Sequence, residues 1–570
     1  MKRLLYINLL LLLCLQVYGQ DTTRKVWVSG AARGVLYGDN YSLENTTDSV
    51  TPAKLNSGHT MVDLTANIKP NSQTYINATL RVRNDYGGFW GAGVTFDVRQ
   101  LYVKGVVANT IRYQLGDINY KLTPYTFYNN DESAIHIPGA FRVYKDMLHY
   151  DMFYQEDNSW RQQGAAADFA LEFSNVVEEL QFNFFATRQN PTDFGLTSER
   201  IFYGGNISLL QSKYFDAGVN FTNMMDILGT SEDTTSLHMP VQSLTAAFHI
   251  DEENWNLNVK AELGNSRVYV DKDTSFNEHE DYFYDFGAAF LYKPYELFVD
   301  LSYRDVGPKF RSPGAQSLRL NYASNPFAFG RIGRDQDLRA LALIDLLRDA
   351  SIYNYRLSSN LQTYLPRYGN AQPYGVATPN RRGFTLVVGQ NNYKSLYDLK
   401  ATYQSLSEIV GQGTEALRAY NTLRLNATLH AGSLISSYNR AIDFEFAYWN
   451  ENTKREGQET FENVDFTNTS YSVGVEIETI NKLKLIYGLM NIESSGFEYL
   501  SLRNSSNEIV DFLEYESNVS ESISAVGLKY EFSATSNLQF NWQVSQWSNS
   551  DDNSLDYRFD QFALMYNLKF

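Results

Sequence analysis

The side chains that could carry out chemistry are few and scattered in this sequence. None of its seven histidines stands in the His-Glu-x-x-His pattern of a zinc protease. His279 lies among acidic residues in "NEHED", a composition that favours a solvated loop over a metal site. His430 and Ser433, in "HAGS", could form a nucleophile and base, but no partner for orienting the histidine is recognisable. We therefore predict no catalytic residue, cofactor or metal site. A lipid hydrolase that uses His430 and Ser433 is kept as a hypothesis.

The first twenty residues, "MKRLLYINLLLLLCLQVYGQ", have the features of a secretory signal peptide. Lys2 and Arg3 precede a short apolar run, and Val17 and Gly19 fit the small-residue cleavage pattern. We predict a signal peptide over 1–19. The one cysteine of the chain, Cys14, lies inside it, so disulfides and Cys-ligated metals are excluded from the predicted mature chain.

The overall charge and hydropathy exclude other classes. The formal net charge is −17, which gives no general attraction to nucleic acid, and we predict no nucleic-acid partner. Mean hydropathy is −0.37, and no apolar run after the signal peptide is long enough for a membrane-spanning helix. A low average is also typical of a membrane barrel, because alternate residues of its strands are polar.

Alternation of apolar and polar residues recurs along the whole chain. In "WNLNVKAEL" (255–263) and "TLRLNATL" (422–429), every second residue is apolar, as expected of a strand with one apolar face. We predict about 22 strands, within a range of 16–24, each close to the length that crosses a bilayer. Their predicted spans are 26–37, 59–69, 73–83, 94–106, 110–117, 161–174, 178–188, 200–210, 214–225, 237–249, 255–265, 282–292, 295–305, 383–390, 395–404, 418–430, 440–450, 468–478, 483–490, 521–532, 538–547 and 557–570.

The connections between these segments alternate in length. Tight turns are predicted near 69–72, 107–109 and 251–254, and longer links, many of them acidic, fall between them. Short turns at one end and longer loops at the other are typical of outer-membrane barrels. In the span 94–106 the alternation changes phase near Arg99 and Gln100, which indicates either a β-bulge or a wrong strand boundary.

The last ten residues, "QFALMYNLKF", complete this pattern. They resemble the C-terminal recognition strand of bacterial outer-membrane proteins, which alternates apolar residues and ends on an aromatic. The residues that carry this resemblance, as a C-terminal assembly signal, are Phe562, Leu564, Tyr566, Leu568 and Phe570. The usage of Tyr, Phe and Asn is also similar to that of Bacteroidota outer-membrane proteins.

This resemblance implies an all-β fold, a transmembrane antiparallel β-barrel in the Gram-negative outer membrane. Its implied partners are outer-membrane lipid, lipopolysaccharide and the barrel-assembly machinery. We predict that the barrel occupies 20–570, with two insertions at 118–160 and 306–382. The longer insertion contains "RDQDLRALALIDLLRDA" (334–350), whose leucines recur at helical spacing, so we predict a helix that acts as a plug or a docking element. The plug or docking candidates are Arg331, Arg334, Leu338, Leu341, Ile344, Leu347 and Arg348.

The polar row of the predicted strands should line the lumen. The lumen-lining candidates are Arg81, Arg83, Arg99, Arg112, Lys260, Glu262, Asp300, Arg304, Arg424 and Glu445. Rings of charge can select solutes. Because both signs are mixed, we favour pairing across the lumen that braces a filled barrel.

Two functions are favoured at this point over the lipid hydrolase. The first is a porin-like or carbohydrate-exporter-like channel for polar solutes, gated or blocked by 306–382. The alternative is a non-conducting barrel subunit of a secretion or assembly complex, with protein partners bound through 118–160 and 306–382.

Overall fold

A computed structural model gives the fold of the chain. It describes residues 25–44, 53–86, 94–128, 138–141, 162–174, 176–190, 199–227, 236–271, 278–315, 370–372, 375–393, 396–435, 440–503 and 509–570. The predicted signal peptide, 1–19, and the predicted helix, 334–350, lie outside these residues. Within the described part of the chain, no helix is long and apolar enough to span a membrane.

Strands make up nearly all of the described secondary structure, and their number is the predicted 22. Their bounds are β1 Val26–Leu43, β2 Ala53–Asn71, β3 Thr74–Asp85, β4 Val94–Val107, β5 Ile111–Ile118, β6 Gln162–Glu172, β7 Glu179–Asn190, β8 Glu199–Ser212, β9 Phe215–Ile227, β10 Ser236–Asp251, β11 Trp255–Asp271, β12 His279–Tyr292, β13 Leu297–Val306, β14 Arg381–Tyr393, β15 Tyr397–Ser407, β16 Ala419–His430, β17 Ile442–Arg455, β18 Val464–Ile480, β19 Leu483–Arg503, β20 Ile509–Ser533, β21 Ser536–Asn549 and β22 Tyr557–Lys569. Short 3₁₀ helices lie at Lys293–Tyr295, Ala431–Leu434, Thr460–Glu462 and Asn553–Leu555.

The strands form one closed antiparallel barrel. Each strand pairs with its neighbours in sequence, and β22 returns to pair with β1 from Ala31↔Lys569 to Leu43↔Tyr557. Closure satisfies the backbone hydrogen-bonding groups that an open sheet would leave bare at its edges. This is the arrangement that lets strands cross a bilayer.

Successive residues alternate between an apolar outer face and a polar inner face. On the outer face, large side chains such as Leu80, Phe286 and Trp542 are exposed. On the inner face, Thr79 and Asn541 are buried. A band of exposed apolar side chains around a closed barrel is the surface that lipid requires.

The turns and loops confirm several local predictions. Ala108 and Asn109 both have positive φ, of 53° and 56°, which suits a tight hairpin turn. The pairing of β3 with β4 shifts register between Thr79 and Leu80, so that Leu80 faces Val98 and Thr79 faces Gln100. Arg99 is the extra residue, so the β-bulge alternative is confirmed.

Several strands are longer than predicted, among them β1, β2, β11 and β17, and the largest differences are at β19 and β20. We expected strands over 483–490 and 521–532. Instead, β19 continues to Arg503 and β20 already begins at Ile509. The hairpin extends beyond its neighbours, because β18 stops pairing with β19 at Phe497 and β21 stops pairing with β20 at Val519. Outside lipid the outer face no longer has to be apolar, so the alternation that marks a membrane strand disappears there.

Candidate functional site in the barrel lumen

The strand register places the predicted lumen-lining residues on the inner row. Arg81 faces Asp63 and Asp97, Glu262 faces Asp285, and Thr428 faces Glu445 on inward-pointing positions. Arg83, Arg99, Arg112, Lys260, Asp300, Arg304 and Arg424 occupy the same inner row of their strands. The polar row therefore lines the interior.

These charges pair along the wall. Arg81 Nε lies 2.8 Å from Asp63 Oδ1, and Arg99 Nη1 lies 3.3 Å from Asp63 Oδ2. Arg112 likewise pairs with Asp168 on β6, at 2.5 Å. The prediction that such pairs reach across the lumen is wrong for these residues. Adjacent strands lie closer than the length of an arginine side chain, so each arginine meets a carboxylate on a neighbouring or next-but-one strand.

The first insertion returns into the barrel immediately after β5. The Tyr125 ring stacks on Phe283 of β12 with 4.2 Å between ring centroids, and its hydroxyl donates to Asp285 at 2.6 Å. The Thr123 hydroxyl donates to Glu262 of β11 at 2.6 Å. These contacts fix residues 119–128 against the inner faces of β11 and β12.

Phe127 anchors the same segment to another part of the wall. Its ring lies 4.9 Å from the ring of Phe185 on β7 and 4.9 Å from that of Phe202 on β8. All three rings are buried. The segment therefore contacts strands β7 to β12, about a quarter of the circumference.

A later piece of the first insertion, residues 138–141, lies against the opposite wall, and we name it the lumenal strap. The Gly139 amide donates to Glu445 of β17 at 2.9 Å, and Asn541 of β21 donates to the Ala140 carbonyl at 2.7 Å. A Cβ placed on Gly488 of β19 would lie 2.9 Å from the Ala140 Cβ. Phe141 is buried in an apolar cluster of the inner wall that includes Met490, Ile523 and Trp547. The insertion thus reaches both sides of the lumen.

The beginning of the second insertion packs on the first. The Tyr128 amide donates to the Gly314 carbonyl at 3.0 Å, and the Ser312 hydroxyl donates to the Thr126 carbonyl at 3.3 Å. Phe310 meets Phe283 edge to face, with 5.1 Å between centroids. Residues 307–315 are therefore inside the barrel, beside 119–128.

The end of the second insertion is bound by a buried set of ionised and polar residues, which we name the charged anchor. Its members are Asn370, Arg381, Glu408, Arg418, Tyr420, Glu451 and Glu498. Arg418 lies 3.2 Å from Glu408 and 2.9 Å from Glu498, and Asn370 donates to Glu498 at 2.8 Å.

Arg381 completes the charged anchor. Its guanidinium donates to the carbonyls of Ala371 at 2.7 Å and of Asn370 at 3.0 Å, and it lies 4.1 Å from the centre of the Tyr420 ring. Glu451 accepts from the Asn370 amide at 2.5 Å. The returning chain is therefore held through its backbone by groups from β14 and β17.

Electrostatics explain how the charges of this anchor persist in a buried site. Burial by itself would lower the pKa of Arg418, but the carboxylates of Glu498 and Glu408 raise that pKa above its usual range. Arg418 is therefore firmly charged, and it neutralises two buried carboxylates.

His430 and Ser433, the residues of the lipid-hydrolase hypothesis, do not form a nucleophile and base pair. His430 Nδ1 lies 2.7 Å from Asp443 and Nε2 lies 3.1 Å from Asp398. The Ser433 hydroxyl donates instead to the His430 backbone carbonyl at 2.6 Å. Both ring nitrogens therefore face carboxylates, and the serine is oriented away from base catalysis.

The remaining predicted residues divide into two groups. The seven plug or docking candidates, from Arg331 to Arg348, lie outside the described residues. The C-terminal row points outward, with Phe562, Tyr566 and Phe570 exposed. The Phe570 amide donates to the Gly30 carbonyl at 3.0 Å, so the terminal residue takes part in closing the barrel.

Sequence reasoning missed the charged anchor and the lumenal strap. Glu408, Arg418 and Glu498 are far apart in the chain, and strand register is what brings them together. The strap has no periodicity to detect. The one available signal for the anchor was the position of Arg381 next to a predicted strand. We assigned this residue to the insertion, but it is the first residue of β14.

Comparisons with known proteins find similar chains among solved structures. No family model matches the chain, and no curated protein matches it. Among solved structures, the ferric citrate transporter FecA is 11% identical, with 95% of this chain and 78% of that chain covered and a TM-score of 0.44. The P pilus usher (PapC) translocation pore is 8% identical, with 95% and 100% covered and a TM-score of 0.37. A BenF-like porin from Pseudomonas fluorescens Pf-5 is 8% identical, with 96% and 99% covered and a TM-score of 0.32.

The closed barrel itself defines the class of the protein. It has 22 antiparallel strands, an apolar outer face and a polar inner face, which is the construction of outer-membrane barrels. The chain is a β-barrel of the Gram-negative outer membrane. Its short turns then face the periplasm and its longer loops face outward.

Proposed function

We propose that this barrel is a channel for polar solutes, and that the insertion over 306–382 gates or blocks it. The observation that carries the proposal is a polar inner wall with parts of both insertions bound to it. A barrel of 22 strands has a lumen too wide for wall side chains to fill, and 22-stranded outer-membrane transporters have a plugged lumen. What occupies the lumen therefore decides whether solute passes.

The inner wall supplies the groups that a polar solute needs in exchange for water. One row of amides and hydroxyls runs across neighbouring strands, where Asn206 donates to Asn220 at 2.8 Å and Asn220 donates to Ser243 at 3.1 Å. Such a surface offers donors and acceptors with little net charge. It favours uncharged or mixed-charge solutes over strongly charged ones.

The two ends of the long insertion support its role as a gate. Residues 307–315 are packed against the first insertion, and residues 370–380 lead from the charged anchor into β14. Residues 316–369, which contain the predicted plug or docking candidates, connect these two fixed points. The described residues on either side of this segment, Ala315 and Asn370, are both buried in contacts with the inside of the barrel.

Shortening this connection tests the proposal. We would replace residues 316–369 by a short Gly/Ser linker, leave both attachment points intact, and record single-channel conductance in planar bilayers. The expected result is a conductance clearly above that of the parent. As a matched control, replacing 272–277 in the β11–β12 loop should leave the parent conductance unchanged.

One outcome contradicts the channel and favours the alternative function. If parent and shortened variant are both folded and both silent, the protein does not conduct. Co-purification of stable partners from mildly solubilised membranes, lost when 316–369 is removed, would then indicate a non-conducting subunit of a larger assembly.

A further inference from the structure

Three aromatic rings lie side by side on the inner wall near the short-turn end of the barrel. Trp27 of β1 and Tyr75 of β3 have ring centroids 5.9 Å apart, and Tyr75 and Tyr102 of β4 have centroids 6.0 Å apart. The planes are tilted by 36° and 47°, so the rings follow the curvature of the wall. We name these three residues the aromatic track.

The aromatic track faces the lumen and not the lipid. Trp27 pairs with Asn67, and Tyr102 pairs with Asn77, and both asparagines are buried on the inner face. The chain neighbours Val28 and Leu101 point outward and are exposed. Aromatic girdles at a membrane interface point to lipid headgroups, so an interfacial anchor does not account for these rings.

Hydrogen bonds hold the central ring in place. The Tyr75 hydroxyl donates to Asn67 Oδ1 at 2.5 Å, and Asn77 donates to the same oxygen at 3.1 Å. Asn67 in turn donates to the Ser29 hydroxyl at 2.9 Å. Fixed rings lose little conformational freedom when a ligand binds.

The ammonium of Lys104 lies over the faces of the two tyrosine rings. Lys104 Nζ lies 5.2 Å from the centroid of Tyr75 and 5.6 Å from that of Tyr102. The Lys104 side chain is exposed, and the three rings are half-buried. A ligand can therefore displace the ammonium from the ring faces and accept hydrogen bonds from it.

We infer that the aromatic track is a saccharide-binding site. This inference rests on the proposed channel and specifies the class of solute that the channel binds. A sugar ring has an apolar C–H face that stacks on an aromatic ring, and hydroxyls at its edge that accept from an ammonium such as Lys104. A row of three rings, with a small number of fixed polar groups and one ammonium beside them, is the lining expected of a binding surface for such amphipathic units. The ligand is an oligosaccharide that spans several rings.

Calorimetric titration of the full-length protein tests this inference. The probes are maltotriose and glucose, and the protein is kept in a detergent without a sugar headgroup. We expect maltotriose to bind more tightly than glucose. Trp27→Leu, Tyr75→Leu and Tyr102→Leu should each lower the maltotriose affinity about tenfold, the value of one lost aromatic contact.

The matched control is Trp542→Leu, which removes an exposed tryptophan from the lipid face and should leave the affinity unchanged. Absence of maltotriose binding, or binding that all three track variants leave unchanged, would overturn the inference whatever the conductance. Track-dependent binding by a barrel that conducts nothing would refute the proposed channel and leave the saccharide site standing. The three variants also protect the test against one of them failing to fold.

Discussion

The two insertions are held inside the barrel by different chemistry. The first is held mainly by rings, since Phe127 contacts Phe185 and Phe202 and Tyr125 stacks on Phe283. The end of the second is held by the charged anchor, in which Arg418 lies between two buried carboxylates. Both attachments lie near the loop end of the strands, since Phe283 and Arg381 both pair with Val306, but one is apolar and the other is ionic.

This difference affects how each attachment responds to change. Where the packing is apolar, a substitution lowers the free energy of unfolding in proportion to the contact that it removes. A buried ionic set responds to the loss of one member far more than to the loss of a whole pair, because the remaining charge stays buried without compensation. Replacing single residues should therefore distinguish the two attachments.

The largest effect is expected at the charged anchor. Arg418→Met leaves Glu408 and Glu498 buried without their cation, and should lower the free energy of unfolding by about 3–5 kcal/mol. Urea titration of the folded barrel in lipid vesicles measures this change. Adding Glu498→Gln should restore part of the loss, because Gln keeps an acceptor for Asn370 without the charge. A double variant no more stable than Arg418→Met would contradict the ionic account.

A smaller loss is expected at the apolar attachment. Phe127→Leu keeps a large apolar side chain but removes the ring contacts with Phe185 and Phe202, and should cost about 1–2 kcal/mol. The same urea titration applies. Phe286→Leu, a change of the same type on the lipid face, should cost less. An equal loss of unfolding free energy in the two variants would show that the ring contacts of Phe127 inside the barrel do not stabilise the fold.

A comparable, slightly smaller effect is expected from one hydroxyl. Tyr125→Phe keeps the stacking on Phe283 but removes the hydrogen bond to Asp285, and should cost about 1 kcal/mol. Proteolysis of the native barrel gives a second measurement, since a loosened first insertion should be cut faster. No change in either measurement would mean that the ring alone holds the segment.

The smallest effect is a pH dependence at the periplasmic rim. Hydrogen bonds first to Asp443 and then to Asp398 raise the pKa of His430. Stabilisation by the protonated ring is therefore complete below the ordinary pKa of about 6.5 and is lost as the pH rises through the raised value. The stability difference between parent and His430→Gln should shrink from pH 6 to pH 9. Ser433→Ala, which changes no titrating group, should show no such trend.

The fold could be predicted from the sequence because lipid imposes a pattern on every strand. The alternation in segments such as 255–263, together with the lengths of the turns, was enough for the strand number, the phase change at Arg99 and the closed architecture. Outside lipid that constraint ends, which explains why the extensions of β19 and β20 were missed.

The contents of the lumen could not be predicted in the same way. Glu408, Arg418 and Glu498 meet because of barrel register, and no local spacing marks them. The lumenal strap makes its hydrogen bonds through backbone groups of Gly139 and Ala140, which any sequence possesses. The inner row of charged residues was predictable. Which of these residues pair with one another depends on which strands are neighbours.

The central claim is that the described parts of the two insertions lie inside the barrel, and a cross-link between the lumenal strap and the wall that it contacts tests this most directly. The one cysteine of the sequence is Cys14, outside the described barrel, so an introduced pair can be followed cleanly. The pair Ala140→Cys with Gly488→Cys joins positions in direct contact, since a Cβ added at Gly488 would lie 2.9 Å from the Ala140 Cβ and a small shift of the strap reaches the roughly 3.5–4.5 Å of a disulfide. Its control is Ala140→Cys with Leu489→Cys, because Leu489 points to lipid.

We predict that oxidation joins the first pair within one chain, seen as a faster band after denaturing electrophoresis that reduction abolishes, and leaves the control pair free. Free thiols in the first pair of a folded barrel, or equal cross-linking of both pairs, would contradict a strap inside the lumen.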